Sequence, residues 1–124
     1  MEIKKIKIGI KTEQEALKEF AHCFKQAAKG EAIEKKKGVF FESVEAVRKF
    51  MTPKRIELIR VIHRQKPASA YELAKIVGRD VKSVMHDLLV LKTVGFVTLK
   101  KEETNREKIR PFVEYDAVQI EIAV

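Results

Sequence analysis

The chain has 124 residues, 45% of them hydrophobic and 35% charged, which predicts a packed core under a charged surface and argues against intrinsic disorder. No apolar run approaches the ~20 residues that a membrane span needs, and the N-terminus lacks the apolar core of a secretion signal, so we expect a cytoplasmic protein with no membrane partner. The formal net charge of +8, from 26 basic and 18 acidic residues, suits a polyanionic partner.

The composition also bears on enzyme and metal chemistry. One cysteine, Cys23, and three histidines provide no metal-ligand spacing and no internal disulfide. His22 and Cys23 are adjacent on a predicted helix, where neighbouring side chains point in different directions, so we interpret Cys23 as a small buried thiol. The sequence has no paired carboxylates with a plausible pocket, no glycine-rich phosphate loop and no nucleophile–base spacing. We therefore expect no enzyme, no catalytic residue, no metal and no cofactor.

The first predicted elements are a strand and a helix. Three isoleucines at positions 6, 8 and 10 alternate with lysine or glycine, and this period of two predicts a strand with one buried face over residues 2–10. The capping box Thr12–Glu15 then opens a helix whose apolar residues recur at three- and four-residue spacing. Gly30 is a natural end for this helix.

A polar, lysine-rich segment at residues 31–38 predicts a solvated loop. It divides the chain into an N-terminal strand–helix unit, residues 1–38, and a second domain, residues 39–124. The N-terminal unit either completes the fold or forms a homodimer, as a palindromic DNA site would require. The adjacent apolar pair Leu89–Val90 lies off the predicted core face of its helix, which favours a contact of some kind.

The second domain begins with the short apolar run 39–41 and a brief helix capped by Ser43, and three further helices follow. Each of the three starts at a residue type that caps helices, and they span about 52–65, 69–77 and 80–94. The second starts with the capping box Ser69–Glu72. After the helices we predict a strand at 96–99, a charged connection at 100–108 and a strand at 109–115.

Pro111 within the second of these strands implies an edge or a bulge. A last strand at 118–124 alternates apolar and other residues, so we expect it to be half-buried. Three helices with a short middle one, followed by a charged β-hairpin, are typical of a helix-turn-helix with a wing. Gly78-Arg79-Asp80 supplies the tight turn between the second and third helices.

The third of these helices is predicted to have an inward and an outward face. The inward face is apolar and comprises Val81, Val84, Leu88 and Leu91. The outward face carries hydrogen-bond donors near the helix N-terminus, the end that enters the major groove in this motif: Lys82, His86 and Thr93, with Ser83 and Arg79 beside them. Only Asp80 and Asp87 flank this face with acid. From residue 53 to residue 101 we count 11 basic against four acidic residues.

The candidate DNA-binding residues are donors and basic side chains on the last two of these helices and on the hairpin: Ser69, Tyr71, Arg79, Lys82, Ser83, His86, Lys100, Lys101, Arg106 and Lys108. The alternative is that they form an ordinary solvated surface, since a three-helix core can exist without binding DNA. The scarcity of acid on the outward face and the basic hairpin favour the DNA-binding interpretation.

Two sets of motifs carry a resemblance to known families. The strings Tyr71-Glu72-Leu73-Ala74, Val84-Met85-His86-Asp87-Leu88 and Gly95-Phe96-Val97 resemble the winged-helix signature of MarR-like and ArsR-like prokaryotic transcriptional regulators. Phe41-Glu42, Thr52-Pro53-Lys54-Arg55-Ile56-Glu57-Leu58, Gly78-Arg79-Asp80-Val81 and Tyr115-Asp116 are more closely similar to a group of archaeal and bacterial winged-helix DNA-binding proteins, over about residues 40–118. The resemblance implies homodimeric regulators, some encoded beside toxins. The metal-sensing cysteines of some ArsR-like proteins have no counterpart here.

Together these observations predict an α+β fold: a winged helix-turn-helix, with a three-helix core and a β-hairpin wing, extended by the N-terminal strand–helix unit. The expected function is a transcriptional regulator that binds double-stranded DNA sequence-specifically. The helix at about 80–94 would enter the major groove, and the wing at about 96–115 would contact the backbone. The alternative is an antitoxin or protein-interaction module that binds a partner protein, such as a toxin, and regulates its own expression through the same winged helix.

Overall fold

A computed structural model describes residues 3–30, 39–103, 107–122 and 124. Within these ranges the fold is α+β. In chain order the elements are β1 (Lys5–Ile10), α1 (Glu13–Ala28), β2 (Val39–Phe41), α2 (Val44–Phe50), α3 (Pro53–Gln65), α4 (Ala70–Val77), α5 (Val81–Thr93), β3 (Thr98–Glu103), β4 (Glu107–Phe112) and β5 (Ala117–Ile122). None of the helices in these ranges is both long enough and apolar enough to cross a bilayer.

The chain forms two compact units. The first comprises Met51–Ala117 with Met1–Lys5, and the second comprises Ile6–Phe50 with Val118–Val124. Helices α3 to α5 and the β3–β4 hairpin therefore belong to the first unit. The predicted division into domains between residues 38 and 39 stays a prediction.

The first unit is built on a core of aliphatic side chains from α3, α4 and α5. Seven of them are at most 2% exposed: Leu58, Ile62, Leu73, Ala74, Val84, Leu88 and Leu91. Phe96, just after α5, joins this core and contacts Tyr115 edge-on, with 6.3 Å between the ring centroids. The predicted inward face of α5 is thus confirmed at three positions, while Val81 is half-buried.

Local capping sets where these three helices begin. The predicted N-caps are confirmed at Thr52, Ser69 and Asp80. The Oγ atom of Ser69 accepts a hydrogen bond from the backbone N–H of Glu72 at 3.0 Å. The Glu72 carboxylate accepts from the N–H of Ala68 at 2.9 Å, one residue earlier than the predicted box requires. Gly78 ends α4 with a φ of 67°, a left-handed conformation that glycine adopts without steric cost.

The hairpin differs from its prediction in one respect. Strands β3 and β4 continue into the charged segment 100–108, predicted as the connection between the two strands, with Lys100 opposite Arg110 and Glu102 opposite Lys108. Backbone hydrogen bonds hold this two-stranded sheet, and its exposed face tolerates charged side chains. Pro111 fits in β4 because each strand of a two-stranded sheet has a free edge, as predicted.

The second unit contains a three-stranded sheet in the order β2-β1-β5. Strands β1 and β2 are parallel, with Ile8 opposite Val39, and Ile8 is fully buried. A Cβ on Gly9 would lie 2.7 Å from the ring of Phe40, so any larger residue at position 9 would force this ring to move. The predicted capping box of α1 is confirmed, with Thr12 and Glu15 bonded reciprocally at 3.3 and 3.4 Å.

The C-terminal strand of this sheet is less covered than its alternation predicted. In β5, Ile120 is 53% exposed and Ile122 is 54% exposed, so the expectation of a half-buried strand is wrong for its second half. Alternation marks an apolar side of a strand, but burial needs a layer packed against that side. An edge strand of a small sheet can lack such a layer.

Candidate nucleic-acid interface

The outward face of α5 is formed by the side chains left over when its core face is buried. Val84 and Leu88 are fully buried, which directs Lys82, Ser83 and His86 away from the core, and all three are exposed. They lie in the first two turns, behind the Asp80 cap, whose carboxylate accepts from the N–H of Ser83 at 3.4 Å. The structure therefore brings these three predicted site residues together on one accessible surface.

Asp87 does not lie on the flank of this face, where it was predicted, and that expectation is wrong. Its side chain is only 12% exposed and sits between two guanidinium groups. The Nε of Arg55 donates to Oδ1 at 3.1 Å, and an Nη of Arg79 donates to Oδ2 at 2.8 Å. We name these three side chains the Asp87 cluster.

The Asp87 cluster keeps its carboxylate ionised. Burial alone would raise the pKa of Asp87, but the hydrogen bonds and charges of Arg79 and Arg55 outweigh it and hold the pKa below the ordinary value of 3.8. Removing the acid from the helix surface also leaves Asp80 as the flanking carboxylate of the outward face.

Arg79 is placed differently from the other candidates on α5. Its side chain is 18% exposed and is engaged with Asp87, so it does not join the outward face. Its other Nη atom is buried with no hydrogen-bond partner among the described residues. The guanidinium therefore ties the turn before α5 to the helix itself.

On α4 the two candidates also differ in availability. Ser69 is the N-cap, and its hydroxyl already accepts from the helix backbone. The ring of Tyr71 is 59% exposed, and the ammonium of Lys75 lies over this ring, 4.7 Å from the ring centroid. Tyr71 and Lys75 thus present an aromatic surface with a positive charge at the start of α4. Lys75 was not among the predicted site residues, although its i+4 spacing from Tyr71 is visible in the sequence.

The hairpin carries a basic face that the sequence did not reveal in full. Directly opposite residues in an antiparallel pair share a face, so Lys100 and Arg110 lie together, and Lys108 with its partner Glu102 lies on the same side. Arg110 was missed because it fell in the second predicted strand, outside the charged run. Only the register of the hairpin would have identified it.

Aromatic packing supports this basic face. The ammonium of Lys100 lies 4.7 Å and the guanidinium carbon of Arg110 5.1 Å from the ring centroid of Phe112. Lys101 is exposed on the opposite face of β3, because successive residues of a strand alternate. The structure therefore does not bring Lys100 and Lys101 together. Arg106 lies outside the described residues.

Comparison with known proteins identifies the family. Residues 50–120, which make up more than half of the chain, match the HVO_A0114 family. The chain belongs to the HVO_A0114 family. The family match spans α3, α4, α5 and both hairpin strands, and so includes every candidate DNA-binding residue. No curated protein matches the chain.

Beyond the candidate interface, the first unit of this HVO_A0114 family protein has a groove of about 390 Å³ beside α3 and β4. Its lining includes the titratable side chains of Lys4, His63, Lys66, Arg110, Glu114 and Asp116. Nε2 of His63 lies 2.9 Å from Oδ1 of Asp116, and this contact, with the backbone N–H of Lys4, lowers the pKa of Asp116. Across the described ranges, no three metal-ligating side chains gather to hold a metal ion.

Proposed function

We propose that this protein binds double-stranded DNA sequence-specifically as a transcriptional regulator of the winged-helix type. In this proposal α3, α4 and α5 form the helix-turn-helix, α5 enters the major groove, and the β3–β4 hairpin is the wing. The observation that carries the proposal is the outward face of α5, which offers Lys82, Ser83 and His86 from its first two turns. The resemblance to MarR-like and ArsR-like regulators supports the same function.

The chemistry of this face suits base edges. A lysine ammonium can donate to O6 or N7 of guanine, while serine and histidine can donate or accept. The burial of Asp87 strengthens the proposal because it removes a carboxylate that would repel phosphates. Arg79, which we had included as a DNA contact, is better assigned to positioning: its bond to Asp87 fixes the turn from which α5 projects.

The wing adds contacts that do not depend on sequence. Lys100 and Arg110 lie directly opposite one another on one face of the hairpin, and Glu102 on the same face pairs with Arg110 at 3.5 Å. Lys100 and Lys108, which are both exposed on this face, would contact phosphates. Such contacts position a protein on the duplex, while the residues on the recognition helix select bases.

The test begins with duplexes selected from a random library by the full chain. Affinity for the selected duplex and for a scrambled one is then titrated at several salt concentrations. Log affinity should fall linearly with log salt, by about 0.9 for each phosphate contacted. A slope near zero would remove the DNA-binding proposal.

Base contacts are tested by substitution on α5. Lys82→Ala and His86→Ala should each lower the ratio of specific to nonspecific affinity by about 5- to 150-fold, since a good base contact discriminates by ~1–3 kcal/mol. The matched control is Lys92→Ala, which removes another exposed lysine, from the last turn of the same helix. If Lys82→Ala and Lys92→Ala have the same effect on that ratio, α5 does not contact bases as proposed.

The second candidate is an antitoxin that binds a toxin through the N-terminal unit and regulates its own gene through the winged helix. The exposed apolar residues of α1 favour some protein partner: Leu17, Phe20 and Phe24 are 61, 71 and 69% exposed. A homodimer also belongs to the proposal, because two-fold operators require a two-fold protein.

A further inference from the structure

The helix α1 has its apolar side facing outward. Leu17, Phe20 and Phe24, here called the α1 stripe, are each more than 60% exposed, and α1 contains no buried residue. The better-covered residues of the helix are instead Glu19, Cys23 and Gln26, and Glu19 is paired with Lys11. An exposed aromatic stripe of this kind is unfavourable in water and marks an interaction surface.

The spacing of the stripe is that of a helix-pairing seam. Positions 13, 17, 20, 24 and 27 are separated by four, three, four and three residues, which is the a/d pattern of two heptads. The flanking e and g positions are small or uncharged: Gln14, Ala16, Ala21, Cys23 and Ala28. A second helix can therefore approach closely along the part of the seam from Leu17 to Ala27, where neither the seam nor its flanks carry a charge.

The charges at the ends of α1 decide how the second helix runs. The first turn is acidic, with Glu13 and Glu15, and the last turn contains Lys25, followed by Lys29. Parallel self-pairing would stack Glu13, a seam residue, on its own copy. Antiparallel self-pairing places Glu13 beside the basic, C-terminal end of the other helix, where a negative charge is paired.

We propose that α1 binds a second copy of α1 in antiparallel orientation and so forms the dimer of this protein. Because antiparallel pairing sets an a position against a d position, Phe20 faces the partner's Phe24 and Leu17 faces the partner's Ala27. This dimer would supply the two-fold symmetry that the proposed DNA-binding function needs. The observations that support the dimer all lie on α1.

The available area is adequate for a reversible dimer. From the ~150–250 Å² that a buried aromatic side chain removes from water, the three stripe residues contribute on the order of 400 Å² per protomer. Two copies would thus bury about 800 Å² from the stripe alone, and the flanking alanines and the stems of the end charges extend this toward the ~1,200 Å² of the smaller specific interfaces. We expect dimerisation in the micromolar range.

The first experiment measures the mass of the full chain by light scattering across micromolar concentrations. The wild type should be a dimer, and Phe20→Glu and Phe24→Glu should each weaken dimerisation by ~100-fold or more, because each puts a charge into the apolar seam. Lys18→Glu, on the far side of the same helix, is the control and should leave the mass unchanged. All of these positions are exposed, so circular dichroism should show the variants folded.

The second experiment tests orientation by disulfide trapping in a Cys23→Ser background, which removes the protein's one cysteine. Gln14→Cys and Ala28→Cys proteins, mixed and oxidised, should form a mixed disulfide, since antiparallel pairing brings these e positions together. Preferential disulfides between identical variants would overturn the antiparallel arrangement.

A monomeric wild type would overturn the proposed dimer. The α1 stripe would then be a binding surface for a different protein, such as a toxin. DNA titrations of the same samples separate this result from the proposed function. A monomer that binds DNA refutes only the α1 dimer. A dimer that does not bind DNA supports the α1 dimer and refutes the proposed DNA-binding function.

Discussion

The Asp87 cluster offers the sharpest test of how α5 is held. Replacing Asp87 with alanine leaves the guanidinium groups of Arg55 and Arg79 facing one another without their shared carboxylate. These two side chains are only 16 and 18% exposed, so water can screen them only in part. Asp87→Ala should therefore destabilise the protein far more than the loss of a surface acid.

The magnitude follows from the geometry. Removing one partner of a buried ion pair costs ~3–5 kcal/mol, and the residual exposure of all three side chains places Asp87→Ala near the lower end, at about 3 kcal/mol. For a chain of this size that corresponds to a fall in Tm of roughly 12 °C. Asp87→Asn keeps an acceptor oxygen but loses the charge, and should cost about half as much.

The control is Asp80→Ala, which removes the same charge from the same helix. Asp80 is an exposed N-cap, so its loss should cost about 1 kcal/mol. Urea and thermal unfolding of the three variants measure these differences. If Asp87→Ala costs no more than Asp80→Ala, the Asp87 cluster does not hold α5 in place.

The pH dependence provides an independent check. The pKa of Asp87 is lowered in the folded state, so its stabilising contribution is present above the unfolded-state pKa and is lost as the pH falls toward the folded-state pKa. The difference in unfolding free energy between wild type and Asp87→Asn should be constant above about pH 5 and shrink below about pH 4. A difference that grows on acidification would contradict this sign.

Three further predictions concern a core leucine, the buried hydroxyl of Tyr115 and a lysine of the β3–β4 hairpin. Leu88→Ala should cost ~2–5 kcal/mol in urea unfolding, because Leu88 is fully buried under α5 and its loss opens a cavity; a cost below 1 kcal/mol would contradict this packing. Tyr115→Phe should leave the Tm unchanged or raise it slightly, since the buried hydroxyl has no hydrogen-bond partner among the described residues; a clear fall in Tm would reveal a partner. Lys100→Ala should weaken binding to all duplexes about equally, because Lys100 lies on the basic face of the hairpin; a changed sequence preference in titrations would show that the proposed wing contacts bases.

The sequence by itself determined the helices of the first unit and the side of α5 that faces the core. The caps at Thr52, Ser69 and Asp80 act on backbone groups within three residues, so their effect is local and visible in the sequence. The buried positions Val84, Leu88 and Leu91 follow from the helical period once a core exists.

Tertiary structure decided the features that depend on distant pairs. Asp87 is buried because Arg55, 32 residues earlier, meets it, and helical periodicity contains no information about that partner. The basic face of the β3–β4 hairpin depends on the register that sets Lys100 opposite Arg110. In the same way, a heptad pattern in α1 predicts an apolar stripe, but only the packed chain leaves that stripe exposed. Local rules assign a side chain to a face, whereas burial and charge pairing depend on what the rest of the chain places against that face.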